Sequence, residues 1–113
     1  MANPICHFEI GCRDRGTTKE FYNELFDWKM EDTGPATFIS TGDGVGGHIS
    51  ALGHAPHNYT IFYVKVDDVK ACLERATELG GKTLVPPIAI PTGTFAWFAD
   101  PEGNTIGLLQ SKT

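Results

Sequence analysis

Asp100-Pro101-Glu102-Gly103-Asn104-Thr105-Ile106-Gly107-Leu108-Leu109 reads as a tight turn feeding a final strand. Pro101 presets a turn position, Gly103 supplies a positive φ and Asn104 satisfies local backbone groups, so turn chemistry accounts for the acidic loop without a ligand. The run gains its meaning from two earlier stretches. His7 to Trp28 and Ile61 to Gly81 each read as strand, Asp, amphipathic helix, with Asp14 seven residues after His7 and Asp68 seven after Ile61. Asp at these points is suited to capping a helix, expected here to run for about four turns. Three strands follow each helix: Trp28 to Glu31, Thr37 to Thr41 and Val45 to Leu52, then Lys82 to Val85, Phe95 to Ala99 and Thr105 to Gln110. The chain is therefore read as one domain, residues 1–113, built from two βαβββ repeats at about 4–53 and 58–111. The linker Gly53 to Asn58 joins them with turn chemistry. A unit with one helix-covered face must pair its sheet with another to bury a core. The expected fold is α+β, two such units pairing into a curved mixed sheet whose other face forms a half-barrel trough, the natural place for a small molecule.

Local patterning supports this division. Ile5 to Gly11 alternates Cys6, Phe8 and Ile10 against His7, Glu9 and Gly11; Ile61 to Val66 alternates Phe62, Val64 and Val66 against Ile61, Tyr63 and Lys65. Phe21, Tyr22, Leu25 and Phe26 recur at helical spacing, which predicts core or helix-packing roles for the aromatics. Val69, Cys72, Leu73, Ala76 and Leu79 form the stripe of the second helix, which Gly80-Gly81 ends. Pro86, Pro87 and Pro91 make their segment an edge strand or an extended loop. The glycine-rich run Gly42 to Gly47 is no phosphate loop, because no Lys-Ser/Thr follows and no helix opens after it.

Composition narrows the function classes. The chain has 113 residues, 41% hydrophobic and 20% charged, with a net charge of -5. It lacks the concentrated basic face that a nucleic-acid partner requires, and no run of about 18 apolar residues exists to enter a membrane as a helix. Met1-Ala2-Asn3-Pro4 has no basic flank and apolar stretch of a secretory signal, which points to a cytoplasmic location. Cys6, Cys12 and Cys72 are odd in number and contain no CxxC pair, so neither a disulfide framework nor a thiolate zinc site is expected. Buried or half-buried free thiols are the simpler expectation. Cys6 adjoins His7, but strand alternation sends the two side chains to opposite faces.

The order and spacing of His7-Phe8-Glu9-Ile10, Asp14, Phe21-Tyr22, Leu25-Phe26-Asp27-Trp28, Tyr63, Val66-Asp67-Asp68-Val69, Leu79-Gly80-Gly81 and Asp100-Pro101-Glu102-Gly103-Asn104 resemble the vicinal oxygen chelate superfamily. That superfamily includes glyoxalase I, bleomycin-resistance proteins and extradiol dioxygenases. The resemblance covers nearly the whole chain and is nearest to small bacterial glyoxalase-like proteins. Asp27 stands where these usually carry glycine, and Asp tolerates a left-handed turn better than most residues. The resemblance implies a homodimer. It also implies that metal ligands of metal-using members fall on the first and fourth strands of each half. Here those positions are His7, His48, Ile61 or Thr60, and Gly107, the last standing where such members usually carry glutamate. Ile61 has no donor and Gly107 has no side chain, whereas a divalent catalytic site needs about three protein ligands. No cofactor is expected on this basis; a bound divalent metal would fall to His7 and His48.

His7 and Glu9 share a strand face two residues apart and are the candidate catalytic pair, His7 as general base aided by Glu9. They could equally be structural, His7 bonding across the sheet and Glu9 pairing with Lys65 or Arg13. His48, Tyr63 and Trp97 are candidate ligand-binding residues, the two aromatics as pocket walls with polar tips, while Phe38 and Phe98 suit a core. His54 and His57, in the polar linker, suit a solvent-facing loop. The leading functional expectation is a glyoxalase-like protein that binds or transforms a small carbonyl or aromatic compound without the usual metal. A non-catalytic drug- or metabolite-sequestering protein of bleomycin-resistance type is the alternative. A metal-dependent lyase or dioxygenase with ligands displaced from these positions is a further one.

Overall fold

A computed structural model describes residues 2–52 and 56–112. Gly53 and His54, part of the expected linker, lie outside the described residues. The elements follow in the order β1 (Ile5–Gly11), α1 (Arg15–Phe26), β2 (Lys29–Thr33), β3 (Ala36–Ser40), β4 (Gly47–Ser50), β5 (Thr60–Lys65), α2 (Val69–Glu78), β6 (Lys82–Ile90), β7 (Gly93–Ala99) and β8 (Thr105–Ser111). The fold is α+β with two βαβββ units, as the repeat predicts. One compact unit comprises His7–Ile61; the other comprises Phe62–Thr113 with Met1–Cys6.

In the first unit β1 pairs parallel with β4, and β3 lies antiparallel between β4 and β2. Asp14 caps α1, its carboxylate accepting from the Thr17 backbone N–H at 3.1 Å and the Thr17 hydroxyl at 2.9 Å. Asp27 ends the helix in the left-handed region, φ 59°, filling the glycine role expected of it. The core joins Ile10, Cys12, Ile39 and Ile49, with Phe8, Tyr22, Trp28 and Met30 packed against it. Tyr22 stacks on Trp28 at 5.8 Å between ring centroids. The Lys19 ammonium, 2.9 Å from an Asp32 oxygen, links the outer side of α1 to β2.

The second unit repeats the plan. β5 pairs parallel with β8, β7 lies antiparallel to both β8 and β6, and β6 is the outermost strand of this set. Asp68 caps α2 by accepting from the Ala71 N–H at 3.1 Å, and Gln110 Oε1 accepts from the Val69 N–H at 2.8 Å, tying the helix start to β8. Val66, Val69, Leu73, Ala96 and Leu108 form the core, with Phe98 against it.

Several expectations are corrected. The helices span 12 and 10 residues, about three turns rather than four. α1 buries none of its residues completely. Tyr22 turns toward the core, whereas Phe21, Leu25 and Phe26 are more than half exposed, because helical spacing defines a wider stripe than one four-stranded sheet covers. The proline-bearing segment does form a strand, β6, with two register shifts between Thr83 and Ile88 that accommodate Pro86 and Pro87. The Asp100 turn closes on itself: Asp100 Oδ1 accepts from the N–H groups of Glu102 and Asn104, and Gly103 has φ 92°.

Candidate functional site

Strand alternation sends Phe8 and Ile10 of β1 toward the helix-covered core and leaves His7 and Glu9 on the opposite face. Register places Glu9 directly beside His48 of β4, and His48 beside Phe38 of β3. Three neighbouring strands therefore contribute to one polar cluster.

Its side chains form a chain of contacts. His7 Nε2 lies 2.7 Å from His48 Nδ1, the ring centroids 4.9 Å apart. His48 Nε2 lies 3.5 Å from Glu9 Oε1. The other carboxylate oxygen, Glu9 Oε2, accepts a hydrogen bond from the Tyr59 hydroxyl. Glu9 is only 4% exposed, so these contacts meet the high cost of burying a carboxylate. Phe38 presents its ring 5.9 Å from that of His48 and is 44% exposed, not the core residue its strand position suggested.

Burial lowers the pKa of His7 to about 4, with the neighbouring His48 adding to the fall and Glu9 opposing it. His48 is lowered as well, again chiefly by burial and against the pull of Glu9. Burial, then the bond to Glu9 and its charge, push the Tyr59 phenol upward. Near neutral pH both imidazoles are uncharged and the phenol keeps its proton.

Tyr59 is the residue that sequence reasoning missed. It precedes β5 and belongs to no periodic pattern. The available signal was Gly11: a strand glycine marks close approach, and a Cβ there would stand 2.1 Å from Tyr59 Cε2. Gly11 is the gap through which the tyrosine ring reaches the β1 carboxylate. Neither Lys65 nor Arg13 is needed to account for Glu9.

Tyr63 and Trp97, expected as pocket walls with wet polar tips, are buried at 5% and 8% exposure, and Trp97 Nε1 donates to the Tyr63 hydroxyl at 2.8 Å. Their polar tips meet each other. The Tyr63 ring covers Gly107, where a Cβ would lie 2.5 Å from Tyr63 Cδ2. His57 is half-buried and lines, with Ile10, Arg13, Thr17 and Phe21, a cavity of about 510 Å³ beside α1. None of His7, Glu9 or His48 lines it.

The donor set fits a resident divalent metal poorly. Two imidazole nitrogens about 2.1 Å from one ion at tetrahedral angles stand roughly 3.4 Å apart, but His7 Nε2 and His48 Nδ1 face each other at 2.7 Å. Glu9 addresses the other nitrogen of His48, so the groups run in a line rather than converging. On β5 Ile61 is buried without a donor, and on β8 Gly107 lies under a ring. Among the described residues no group of three His, Cys, Asp or Glu side chains could hold a metal ion. All three cysteines are free thiols, Cys12 buried and Cys6 and Cys72 half-buried. None of the described helices is long and apolar enough to cross a membrane.

Comparison with known proteins agrees with the architecture. Residues 5–108 match the family model described as Glyoxalase/Bleomycin resistance protein/Dioxygenase superfamily. A glyoxylase-like domain-containing protein of Didymella fabae is 35% identical over 113 residues, covering 89% of this chain and 88% of its own length. A putative glyoxylase, CFP32, of Mycobacterium bovis is 28% identical over 115 residues; the match covers 92% of this chain but 44% of the mycobacterial protein. Among solved structures, the methylmalonyl-CoA epimerase of Mycobacterium tuberculosis superposes with a TM-score of 0.71 at 13% identity, covering 96% of this chain and 88% of that one. At that identity the likeness concerns the fold.

Proposed function

Since the chain belongs to the glyoxalase/bleomycin resistance protein/dioxygenase superfamily, we propose that it moves a proton on a small carbonyl compound, with His7 as the base and without a resident divalent metal. The observation that carries this reading is the alignment of His7, His48 and Glu9 on one strand face, at 2.7 and 3.5 Å. A neutral imidazole can take a proton from a carbon beside a carbonyl. A buried carboxylate at the far end of the chain compensates the positive charge that appears. The low pKa of His7 keeps it unprotonated, and so competent as a base, through the neutral range. The fold is shared with an epimerase that acts on an acyl-CoA. That likeness is one of scaffold, and the proposed reaction rests on the site residues.

A second reading, binding without transformation, is favoured by Phe38, whose exposed ring beside His48 offers a stacking surface for an aromatic compound. Incubation in D₂O with a panel of 2-substituted 3-oxo thioesters and 2-hydroxy ketones, followed by proton NMR, separates the two. Deuterium entering the carbon beside the carbonyl, and its loss in His7→Ala, supports the enzyme. Binding of aromatic members with no exchange above the uncatalysed rate supports the binder and overturns the enzyme. We further propose, from the family likeness, that the chain acts as a homodimer in a metabolic rather than nucleic-acid or membrane setting. Sedimentation equilibrium tests the assembly.

A further inference from the structure

The cavity beside α1 has its floor at the end of β1, where Ile10 and Cys12 line it with apolar surface. Thr18, Phe21 and Tyr22, spaced to share one helical face, form one wall, and His57 with Asn58 forms the other. The second wall is fastened to β1 by backbone. The Gly11 N–H donates to the Tyr59 carbonyl at 2.8 Å, and a Cβ on Gly11 would stand 2.6 Å from the His57 carbonyl oxygen. At about 510 Å³ the space matches that of a small-molecule pocket. Phe21 lines it while 58% exposed, so a ligand seated there takes a large apolar ring out of water.

The sign of the ligand's charge follows from the polar residues. Arg13 supplies the fixed charge among the described lining residues, and none of them is acidic. Of the three cations between residues 13 and 19, Arg15 donates to the Gly34 carbonyl at 2.9 Å and Lys19 pairs with Asp32 at 2.9 Å. Arg13 makes no hydrogen bond or ion pair with a described residue. Its neighbour Asp14 is taken up by Thr17 and lies outside the lining. A planar guanidinium offers a carboxylate two parallel N–H bonds, and the adjoining Phe21 ring offers a flat hydrocarbon a packing surface. We propose that this cavity is a second binding site, for an aromatic carboxylate of one or two rings, with Arg13 as its anchor. The inference does not depend on His7 acting as a base.

Titration of the ¹⁵N-labelled protein with 2-naphthoate at neutral pH, followed by amide shifts, tests the site, with 2-naphthamide as the uncharged control. The carboxylate is expected to saturate below ~1 mM at one per chain, with shifts centred on Arg13, Thr18, Phe21 and Asn58. The amide should bind ~10-fold more weakly. Arg13→Gln should reduce the affinity for 2-naphthoate to that for the amide and leave the amide's unchanged, while Arg13→Lys recovers only part of the loss because an ammonium lacks the planar fork. Arg13 is exposed, and the unshifted remainder of each spectrum verifies that the variants fold. Phe21→Ala should weaken both probes. His7→Ala should leave the affinity for 2-naphthoate within about twofold, so this site and the proposed base stand or fall separately. Shifts centred instead on His7, Phe38 and His48 overturn the proposal. So do equal affinities for the two probes, an Arg13→Gln variant that binds 2-naphthoate as tightly as the wild type, or no saturable binding, the outcome if a second copy of the chain covers the cavity.

Discussion

Glu9 beside His48 in the first unit and Tyr63 beside Gly107 in the second occupy the same register: each first member stands five residues before its helix cap, and each pair joins parallel neighbouring strands. In the first unit the position holds a buried carboxylate and an imidazole, linked outward to His7 and inward to Tyr59. In the second it holds an aromatic ring lying on a glycine, its hydroxyl taken by Trp97. One repeat thus keeps ionisable groups at the cost of partnering each of them, while its copy fills the same volume with hydrocarbon and one neutral hydrogen bond. The same scaffold occurs twice, and side-chain choice at two positions decides which copy carries ionisable groups.

The largest expected effect tests that division directly. His7→Ala should cut the solvent-exchange rate about a thousandfold, roughly 4 kcal/mol of barrier, whereas Ile61→Ala at the matching position on β5, the first strand of the second βαβββ repeat, should leave the catalytic step within threefold and lower only stability. A comparable loss in both variants would mean that the halves share the chemistry. Next in size, Gly107→Ala places a Cβ against the Tyr63 ring and should cost about 3 kcal/mol in urea unfolding with its strand face otherwise unchanged. Gly11→Ala drives a Cβ into Tyr59 and should cost a similar amount of stability, but with an added loss of exchange activity.

A third expectation concerns pH. The unfolded chain takes up protons on these imidazoles near pH 6.5, whereas folded His7 does so only at about 4. The unfolded state therefore binds more protons between those values. The stability from keeping His7 neutral is complete above pH 6.5 and is lost as pH falls toward 4, on the order of 2 kcal/mol once solvent screening of the half-buried ring is allowed for. Urea midpoints across this range should show the decline, and His7→Ala should flatten it. The smallest effect belongs to the second unit: Trp97→Phe removes the donor to the Tyr63 hydroxyl and should cost about 1 kcal/mol, with exchange activity intact.

The repeat, the helix caps and the shared face of His7 and Glu9 were legible because alternation and capping act over a few residues. Asp14 and Asp68 announce the helices by chemistry that needs no tertiary context, and both serve as caps. Long-range pairing was not legible. That Tyr59 reaches Glu9, fifty residues earlier, depends on a ring crossing a glycine. That Tyr63 and Trp97 bond to each other depends on registers set by β8. The exposed Phe21, Leu25 and Phe26 illustrate the same limit, since periodicity defines a face of the helix but not how much sheet lies beneath it.

The irregular outer strand β6 has a consequence for self-association. Pro86 and Pro87 have no N–H to offer, and the register shifts on either side of Val85 break the even spacing that an incoming strand would need. An open sheet edge ordinarily invites another chain to add itself as the next strand, the first step toward cross-β deposits. Here composition blunts that edge, and ladder extension at β6 is disfavoured even in concentrated protein.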